Sequence, residues 1–300
     1  MVESVAERFV ELEPADFYLL SGVEHGMRFA QWVRRDRLPE LSGLDENAVD
    51  YRIDRCLDRE LIERRTMQYE GYQLQVAGYD ALALRTFAER DTVEGFGAPL
   101  GVGKESDVYE VQSYKPLALK FHREGYTDFR EVHREREYTA DREHVSWLYT
   151  ARVAAEKEHE VLEALYPTVA VPRPIDQNRH AIVMDQMDGV ELSRSRLDPE
   201  QVVGVLDLVL AELATAYTAG WVHADLSEYN VFVGAEGVTV FDWPQAVPTS
   251  HENADDFLDR DVANVVNYFE RKYPNELPAV DPNAVAAAVR NGSFDSVEAA

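Results

Sequence analysis

Two aspartates and one asparagine in the second half of the chain have the residue types and spacing of a metal site. Asp225 and Asn230 lie in the segment HADLSEYN at 223–230, and Asp242 follows the apolar run 238–241. The segment lies between an apolar helix pattern and a short hairpin pattern, so the three side chains should meet at one edge. Mg²⁺ binds few protein oxygens and takes its other ligands from phosphates and water. We therefore expect Asn230 and Asp242 to hold Mg²⁺ and Asp225 to lie beside a substrate hydroxyl or water.

A glycine-containing loop earlier in the chain suits phosphate binding. The segment GVGKESDVY at 101–109 lies between two predicted strands, and glycine lets backbone N–H groups approach phosphate oxygens closely. The candidate contacts in this loop are Gly101, Gly103, Lys104 and Ser106. Because Ser106 takes the place of a third glycine, the loop matches neither the G-x-G-x-x-G pattern nor the Walker A pattern.

A lysine and a glutamate after this loop form a predicted charge pair. The alternation in the strand pattern 117–121 directs Lys120 to one face, where an ammonium group can neutralise phosphates. The helix pattern 147–165 has an apolar stripe that is interrupted by Glu158, and an acid on a buried stripe needs a charge partner. We therefore predict that Glu158 orients Lys120.

Two further segments complete the predicted site. The apolar strand 181–184 runs into a polar linker, which is typical of a hinge between two lobes. Backbone groups of Asp185 and Met187 would then bond to the edge of adenine, with Met184 at the rear of the pocket. Asp261 lies on an apolar helix pattern and is predicted to steady the turn at 223–225.

The first 90 residues have the order of a winged helix-turn-helix domain, with helices followed by a β-ribbon. Segment 45–60 would be the recognition helix and 66–73 the wing, with its turn at 69–72. The candidate phosphate contacts are Arg52, Arg55, Arg59, Arg64 and Arg65. Acidic residues are interleaved with these arginines, so a protein-docking domain or a small helical packing module stays an alternative.

Composition restricts the class of protein. A chain of 300 residues, 45% of them hydrophobic, suits two domains, and a single cysteine excludes an internal disulfide and disfavours a cysteine-based metal site. We see neither a membrane-spanning run nor a signal peptide, and we expect a cytoplasmic protein. The net charge is −26, spread along the chain, and five lysines stand against 25 arginines. This pattern favours the surface of a halophile's protein over a surface for one basic partner.

Taken together, these motifs resemble the RIO family of atypical kinases, specifically its archaeal type-two branch with an N-terminal winged helix. The matching segments are 103–109, 144–149, 154–158, 223–230 and 242–245. Segment 223–230 is similar to the protein-kinase catalytic loop H-R-D-x-x-x-x-N, and Asp242 to the metal-binding aspartate that follows it. Trp243 replaces the family's usual phenylalanine, which puts the local packing in doubt.

The resemblance implies an α+β fold in which a winged helix domain precedes a two-lobed kinase domain. The expected parts are a winged helix at 1–90, a linker at 91–98, an N-lobe at 99–184 with a flexible loop at 122–146, and a hinge and C-lobe at 185–300. It also implies a serine/threonine kinase with an ATPase-like cycle that uses ATP with Mg²⁺ or Mn²⁺.

The implied partners are the precursor of the small ribosomal subunit and its rRNA, late in maturation, without a membrane. Autophosphorylation, a protein substrate and an aspartyl phosphate at Asp242 are also implied. Two alternatives stay open: a small-molecule phosphotransferase of the aminoglycoside or choline kinase type, and a DNA-binding regulator with an ATP-sensing core. A non-catalytic assembly factor is disfavoured because Lys120, Asp225, Asn230 and Asp242 are all present.

Overall fold

A computed structural model describes residues 5–66, 68–123 and 147–299 of the chain. The chain forms two compact units. The first consists of Met1–Ala155 and Asp176–Val183, and the second of Glu156–Ile175 and Met184–Ala300. The predicted linker 91–98 lies within the first unit, and its second half is already part of a strand, because β4 begins at Gly95.

The N-terminal part of the first unit is a set of helices with a three-stranded sheet in the order β1-β3-β2. Its elements are α1 (Val5–Val10), α2 (Pro14–Gly26), β1 (Val33–Arg34), α3 (Leu38–Ser42), α4 (Glu46–Asp58), β2 (Ile62–Thr66), β3 (Glu70–Leu74) and α5 (Val76–Glu89). The side chain of Asp45 caps α4 by accepting the Ala48 N–H at 2.9 Å. Val49, Ile53 and Cys56 recur at helical spacing and are buried. These elements agree with the predicted winged helix.

The turn of the wing lies earlier than the sequence predicts. Thr66 pairs with Glu70, so residues 68 and 69 precede β3 and Gly71 belongs to that strand. Gly71 is a glycine for a packing reason. A Cβ there would lie 2.9 Å from the Trp32 Cβ and 3.1 Å from the Tyr69 Cε2, so a larger residue would collide with both.

The rest of the first unit is built on a five-stranded sheet in the order β4-β5-β6-β8-β7. The elements of this sheet and beside it are β4 (Gly95–Val102), β5 (Ser106–Gln112), β6 (Pro116–His122), α6 (Trp147–Leu165), β7 (Pro174–Asn178) and β8 (Ala181–Asp185). Helix α6 belongs to the second unit from Glu156 onward, and β7 and β8 each have two residues there. The predicted flexible loop 122–146 begins too early, because His122 ends β6 and Arg123 is buried. Residues 124–146 of that loop lie outside the described part of the chain.

The second unit contains the later helices and two small sheets. Its further elements are β9 (Val190–Glu191), α7 (Val202–Thr218), β10 (Trp221–Val222), β11 (Val231–Gly234), β12 (Gly237–Val240), β13 (Val247–Pro248), α8 (Ala254–Lys272) and α9 (Pro282–Arg290). The strand orders are β12-β11-β9 and β10-β13. Asp198 and Pro199 precede α7, and Gly220 follows it with a φ of +95°.

Helix α7 and the turn before it are long and apolar enough to cross a membrane by length and composition alone. The same helix, however, contributes Leu206, Val209, Leu210 and Leu213 to the core of the second unit. Its Glu212 carboxylate accepts the Ala170 N–H at 2.7 Å, which ties it to the chain before β7. We therefore read it as a core helix.

The charge balance of the chain predicts that salt stabilises the fold. With 56 acidic and 30 basic residues, repulsion among surface carboxylates is strong in dilute buffer. The screening length falls from about 10 Å at 0.1 M salt to about 3 Å at 1 M, so Tm should rise steeply between these concentrations of KCl. Sucrose, which is excluded from protein surfaces without screening charge, is the control. A Tm that KCl raises no more than sucrose contradicts this prediction.

Candidate active site

A network of hydrogen bonds joins the loop of Asp225 and Asn230 to the strand that leads to Asp242. The Asn230 Nδ2 donates to the Asp225 carbonyl at 2.9 Å. The Asn230 carbonyl accepts the Phe241 N–H at 3.0 Å, and the His223 Nε2 lies 3.0 Å from the Phe241 carbonyl. Because a carbonyl only accepts, His223 is the donor in the last bond. Asp225, Asn230 and the segment that carries Asp242 therefore come together, as the sequence predicts.

The turn at Asp242 is fixed from the side of α6. Asp242 has a φ of +68°, in the left-handed region that residues other than glycine rarely adopt. The next backbone N–H, of Trp243, donates to the Glu158 Oε1 at 3.1 Å. Glu158 is buried, as predicted. It belongs to the second unit and Lys120 to the first, so the pairing of these two residues stays a prediction.

The structure resolves the doubt about Trp243, whose side chain is fully buried. Its Nε1 donates to the Val240 carbonyl at 3.1 Å, and its ring centroid lies 4.5 Å from that of His223. The larger ring therefore has both a partner for its polar atom and an aromatic neighbour.

We expect Trp243→Phe to lower the free energy of unfolding by about 1–3 kcal/mol, because it removes one hydrogen bond and leaves a cavity. The kinase activity expected from the resemblance should persist, since the backbone N–H that binds Glu158 remains. Denaturant unfolding measures the first effect, with the half-buried Trp221→Phe as the matched control. Equal stability of Trp243→Phe and wild type, or complete loss of activity, contradicts this account.

Asp261 holds the loop around Asp225 by its backbone, as predicted. Its Oδ2 accepts the Ala224 N–H at 2.7 Å and its Oδ1 accepts the Leu226 N–H at 3.0 Å. These two donors flank Asp225, and Ala224 has a φ of +65°. Burial raises the pKa of Asp261 to about 7, against the opposing effect of the two N–H donors. Asn264 adds a bond from its Nδ2 to the Leu226 carbonyl at 3.1 Å.

The glycine loop leaves open space beside its backbone. The Gly103 N–H donates to the Ser106 carbonyl at 2.9 Å, which closes the turn between β4 and β5. A Cβ added at Gly101 would meet nothing within 4 Å, and neither Gly101 nor Gly103 has a positive φ. Protein packing therefore gives no reason for glycine at 101, whereas close approach of a ligand does. Lys104 is exposed and Ser106 half-buried in the same loop.

Lys120 is the one lysine among the described residues that is buried, with 4% of its surface exposed. It lies on β6 opposite Val108 of β5, the strand that follows the glycine loop. Burial of an ammonium group is stable only beside negative charge, which a phosphate or a carboxylate supplies. This placement agrees with the predicted role of Lys120.

In the predicted hinge, one of the backbone groups expected to bond to adenine already has another partner. Met184 is buried near the end of β8, and the Asp185 N–H donates to the Arg173 carbonyl at 2.9 Å. That N–H therefore cannot bond to adenine. The carbonyl of Asp185 and the backbone of Met187 stay as candidates.

Four of the five predicted nucleic-acid contacts are engaged by acids of the same domain, Arg64 of the wing only by the exposed Glu70 at 3.5 Å. Arg52 and Arg55 both bind the buried carboxylate of Asp16, at 3.1 and 3.0 Å. Arg59 pairs with Glu11 at 3.2 Å. Their charge is largely neutralised, so the structure argues against phosphate contacts from this face of α4. Arg64 and Arg65 of the wing stay candidates.

The wing also carries aromatic residues that the sequence analysis missed. The Arg34 guanidinium lies 5.0 Å from the Tyr69 ring centroid, and that of Arg65 lies 5.8 Å from the Trp32 ring centroid. In the sheet, Arg34 and Arg65 flank Gly71 from opposite sides. We call Trp32, Arg34, Arg65 and Tyr69 the wing platform. The signal for it in the sequence is the arginine-rich, aromatic segment at 28–37.

Comparison with known families gives two matches that together span most of the chain. The family model described as "RIO domain" matches residues 107–282. The model described as "Rio2, N-terminal" matches residues 9–90.

Individual relatives agree with these matches. The RIO-type serine/threonine-protein kinase Rio2 of Methanocaldococcus jannaschii is 40% identical over 267 residues, which cover 86% of this chain and 98% of that protein. The serine/threonine-protein kinase rio2 of Schizosaccharomyces pombe is 36% identical, over 89% of this chain and 78% of that protein. Among solved structures, the Rio2 kinase–ADP/Mg²⁺–phosphoaspartate complex from Chaetomium thermophilum matches with a TM-score of 0.80 and 31% identity, covering 98% of this chain and 91% of that one.

Proposed function

The chain belongs to the RIO family of serine/threonine-protein kinases, in its Rio2 branch, and on that premise we propose that it transfers the γ-phosphoryl group of ATP with Mg²⁺ as its metal. The observation that carries the proposal is the hydrogen-bonded arrangement of Asp225, Asn230 and the strand end at Asp242. Family membership disfavours the small-molecule phosphotransferase alternative.

The donor set fits a magnesium ion that keeps phosphate ligands. The Asn230 Nδ2 is used by the Asp225 carbonyl, so its Oδ1 is the atom suited to a cation. In the described part of the chain, no group of three or more His, Cys, Asp or Glu side chains could hold a metal. An ion bound by Asn230 and Asp242 would therefore complete its coordination from phosphate and water, as Mg²⁺ does. Mn²⁺ has the same ligand preference and is the alternative metal.

Each remaining residue has one role in the proposal. Asp225 accepts the proton of the attacking group and orients it, while Lys120 neutralises phosphate oxygens and is itself oriented by Glu158. The backbone at Gly101, with Lys104 and Ser106, covers the phosphates, while the Gly103 N–H is used by the Ser106 carbonyl and holds the turn of the loop. Phosphoryl transfer needs little more than such positioning and charge stabilisation.

The acceptor of the phosphoryl group belongs to the proposal as well. The structural relative described above contains a phosphoaspartate, and Asp242 is the residue of this chain that we assign to that role. In that case the Asp242 carboxylate would displace ADP from the γ-phosphorus. Water, whose proton Asp225 would accept, would then release phosphate and restore the carboxylate, which makes the cycle an ATPase. A protein substrate and autophosphorylation are the other acceptors we include.

We further propose that the enzyme acts in the cytoplasm on precursors of the small ribosomal subunit. The wing platform supports a contact with unpaired rRNA, because bases stack on aromatic rings and guanidinium groups. Stacking does not depend on the net charge of the chain, which at −26 opposes binding of a phosphate backbone in dilute buffer.

The test is ATP turnover at high KCl with Mg²⁺, with and without purified small-subunit precursors. Turnover that precursors stimulate supports a maturation ATPase, and turnover indifferent to them favours a kinase with another substrate. Arg64→Ala/Arg65→Ala should lose the stimulation and keep the basal rate. The matched control is Arg194→Ala/Arg196→Ala, which removes two exposed arginines from a loop of the second unit. Absence of turnover with ATP still bound overturns the catalytic proposal in favour of an ATP-sensing regulator.

A further inference from the structure

Arg123, directly after β6, is the centre of a buried charge cluster outside the proposed active site. Its side chain is 7% exposed. Its NH1 and NH2 donate to the two carboxylate oxygens of Asp80 at 2.7 and 2.9 Å, and its Nε donates to the Asp107 Oδ2 at 2.8 Å. Asp80 lies on α5 of the winged helix domain, whereas Asp107 lies on β5 of the sheet. One guanidinium group thus joins the two parts of the first unit.

His180 completes the cluster from the turn between β7 and β8. Burial lowers the pKa of His180 to about 4, so the ring is neutral at pH 7. Its Nε2 lies 2.7 Å from the Asp80 Oδ1, and we assign the proton to this nitrogen because an ionised carboxylate only accepts. The ring also stacks on Tyr79 of α5, with centroids 4.3 Å apart.

The neighbouring charges in the cluster keep Asp80 and Arg123 ionised in spite of their burial. Burial by itself would raise the pKa of Asp80, but Arg123 and His180 hold it below the usual value. The carboxylates of Asp80 and Asp107 raise the pKa of Arg123 in turn, against the effect of burial. Loss of either partner of a buried ion pair leaves an uncompensated charge, so Asp80 and Arg123 depend on each other for their ionised, buried positions.

The cluster also reaches the glycine loop through the backbone. The Arg123 N–H donates to the Glu105 carbonyl at 2.7 Å. Glu105 lies between Lys104 and Ser106, two of the proposed phosphate contacts. Lys120, on β6, lies three residues before Arg123. Any shift of Arg123 therefore moves the loop that covers the phosphates.

We propose that Arg123 is a positioning residue for nucleotide binding: it fixes the glycine loop through Glu105 and Asp107, and through Asp80 it makes that position depend on the winged helix domain. The inference rests on the proposed binding of ATP by this loop. It gives the winged helix a second role, since whatever displaces α5 weakens nucleotide binding.

A second ion pair between the same two parts supplies the control. Arg179, also in the turn between β7 and β8, binds both carboxylate oxygens of Glu24 on α2, at 2.9 and 2.8 Å. This pair attaches the winged helix domain to the sheet but has no bond to the glycine loop. Glu24→Gln and Asp80→Asn both replace a carboxylate of the winged helix domain by an amide. Only the ion pair of Asp80 is connected to the glycine loop, through Arg123.

The experiment measures the Kd of Mg·ATP by calorimetry, and kcat and KM for ATP, well below the Tm of every variant. Asp80→Asn should raise Kd and KM at least about fivefold, in the usual range of coupling between sites, with a smaller change in kcat. Glu24→Gln should lower Tm and leave Kd within about twofold. A Kd unchanged in Asp80→Asn, or raised equally in Glu24→Gln, overturns the inference.

Asp107→Asn keeps the test decisive if Asp80→Asn does not fold. Asp107 is 19% exposed, so its variant leaves the deeply buried pair of Arg123 and Asp80 intact. It should raise the Kd of Mg·ATP with little change in Tm, and an unchanged Kd contradicts the role of Arg123. If wild type itself fails to bind ATP, the proposed function is wrong, and that result is distinct from every outcome above.

Discussion

Asp225→Asn is expected to lower the rate of phosphoryl transfer by roughly 10²–10⁴-fold, the range for loss of a positioned proton acceptor. The amide has the same shape as the carboxylate, but it neither accepts a proton nor attracts the hydroxyl of an acceptor. The change therefore removes the chemistry of the side chain and preserves its volume.

The structure explains why ATP binding should survive this substitution. The contact of Asp225 that organises the loop is made by its backbone carbonyl, which accepts from the Asn230 Nδ2 at 2.9 Å. That bond is unchanged in the variant, as are the bonds from Ala224 and Leu226 to Asp261. The proposed metal ligands Asn230 and Asp242 stay in place, so the Kd of Mg·ATP should change less than threefold or so.

Single-turnover kinetics and calorimetric titration with Mg·ATP measure the two effects separately. Asp256→Asn is the matched control, because it makes the same chemical change at an exposed position in the first turn of α8. Its rate should equal that of wild type. A rate in Asp225→Asn within a few-fold of wild type would remove Asp225 from the reaction.

The parts of this fold that were predictable from sequence are those with local causes. Helix α4 follows from the cap at Asp45 and the apolar spacing of Val49, Ile53 and Cys56. Likewise, the segment from His223 to Asn230 is read from residue types over eight positions, and its position before a hairpin follows from the alternation at 231–240.

The differences between the expected and the observed environments of Arg52, Arg55 and Gly71 have long-range causes. Arg52 and Arg55 looked like phosphate contacts because arginine on a recognition helix is basic, yet their partner Asp16 lies 36 and 39 residues earlier in the chain. The glycine at 71 was interpreted as part of a turn, whereas the close approach of Trp32 is what requires it. Neither contact can be predicted from the residues that are adjacent in sequence.

The same reasoning accounts for the overlooked cluster around Arg123. A charged residue after an apolar strand normally begins a solvated loop, and that is how 122–146 was predicted. Asp80, however, lies 43 residues before Arg123, on a helix assigned to another domain. The identity of such a partner depends on how the winged helix packs on the sheet, which single-sequence patterns do not encode.

Asp261→Asn is the second substitution for which we expect a large effect, and its target touches no reacting atom. An amide offers one acceptor where the carboxylate offers two, so either Ala224 or Leu226 would face an NH₂ group. An unpaired buried N–H costs about 1–3 kcal/mol, and Ala224 already has an unfavourable positive φ. A misplacement of Asp225 by about 1 Å costs on the order of 10²-fold in rate, so kcat should fall about that much.

The control for this substitution lies two residues earlier on the same helix. Asp259 pairs with Arg290 and is partly exposed. Asp259→Asn should lower stability slightly and leave kcat unchanged. A kcat in Asp261→Asn equal to that of wild type, at unchanged Tm, would show that the loop keeps its shape without the carboxylate.

The pH dependence separates the role of Asp261 in stability from its role in activity. Its pKa is raised from 3.8 to about 7, chiefly by burial, so folding takes up a proton between these values. Its contribution to the unfolding free energy is present below about pH 4 and is lost as pH rises through about 7. Asn does not titrate, so the difference in unfolding free energy between wild type and Asp261→Asn should shrink as pH rises over this range. Denaturant unfolding at several pH values measures this difference. Parallel plots of unfolding free energy against pH for the two proteins would contradict the assignment. The ionised carboxylate is nonetheless the form that accepts both N–H groups, which means that the loop is best positioned for catalysis where Asp261 stabilises the fold least.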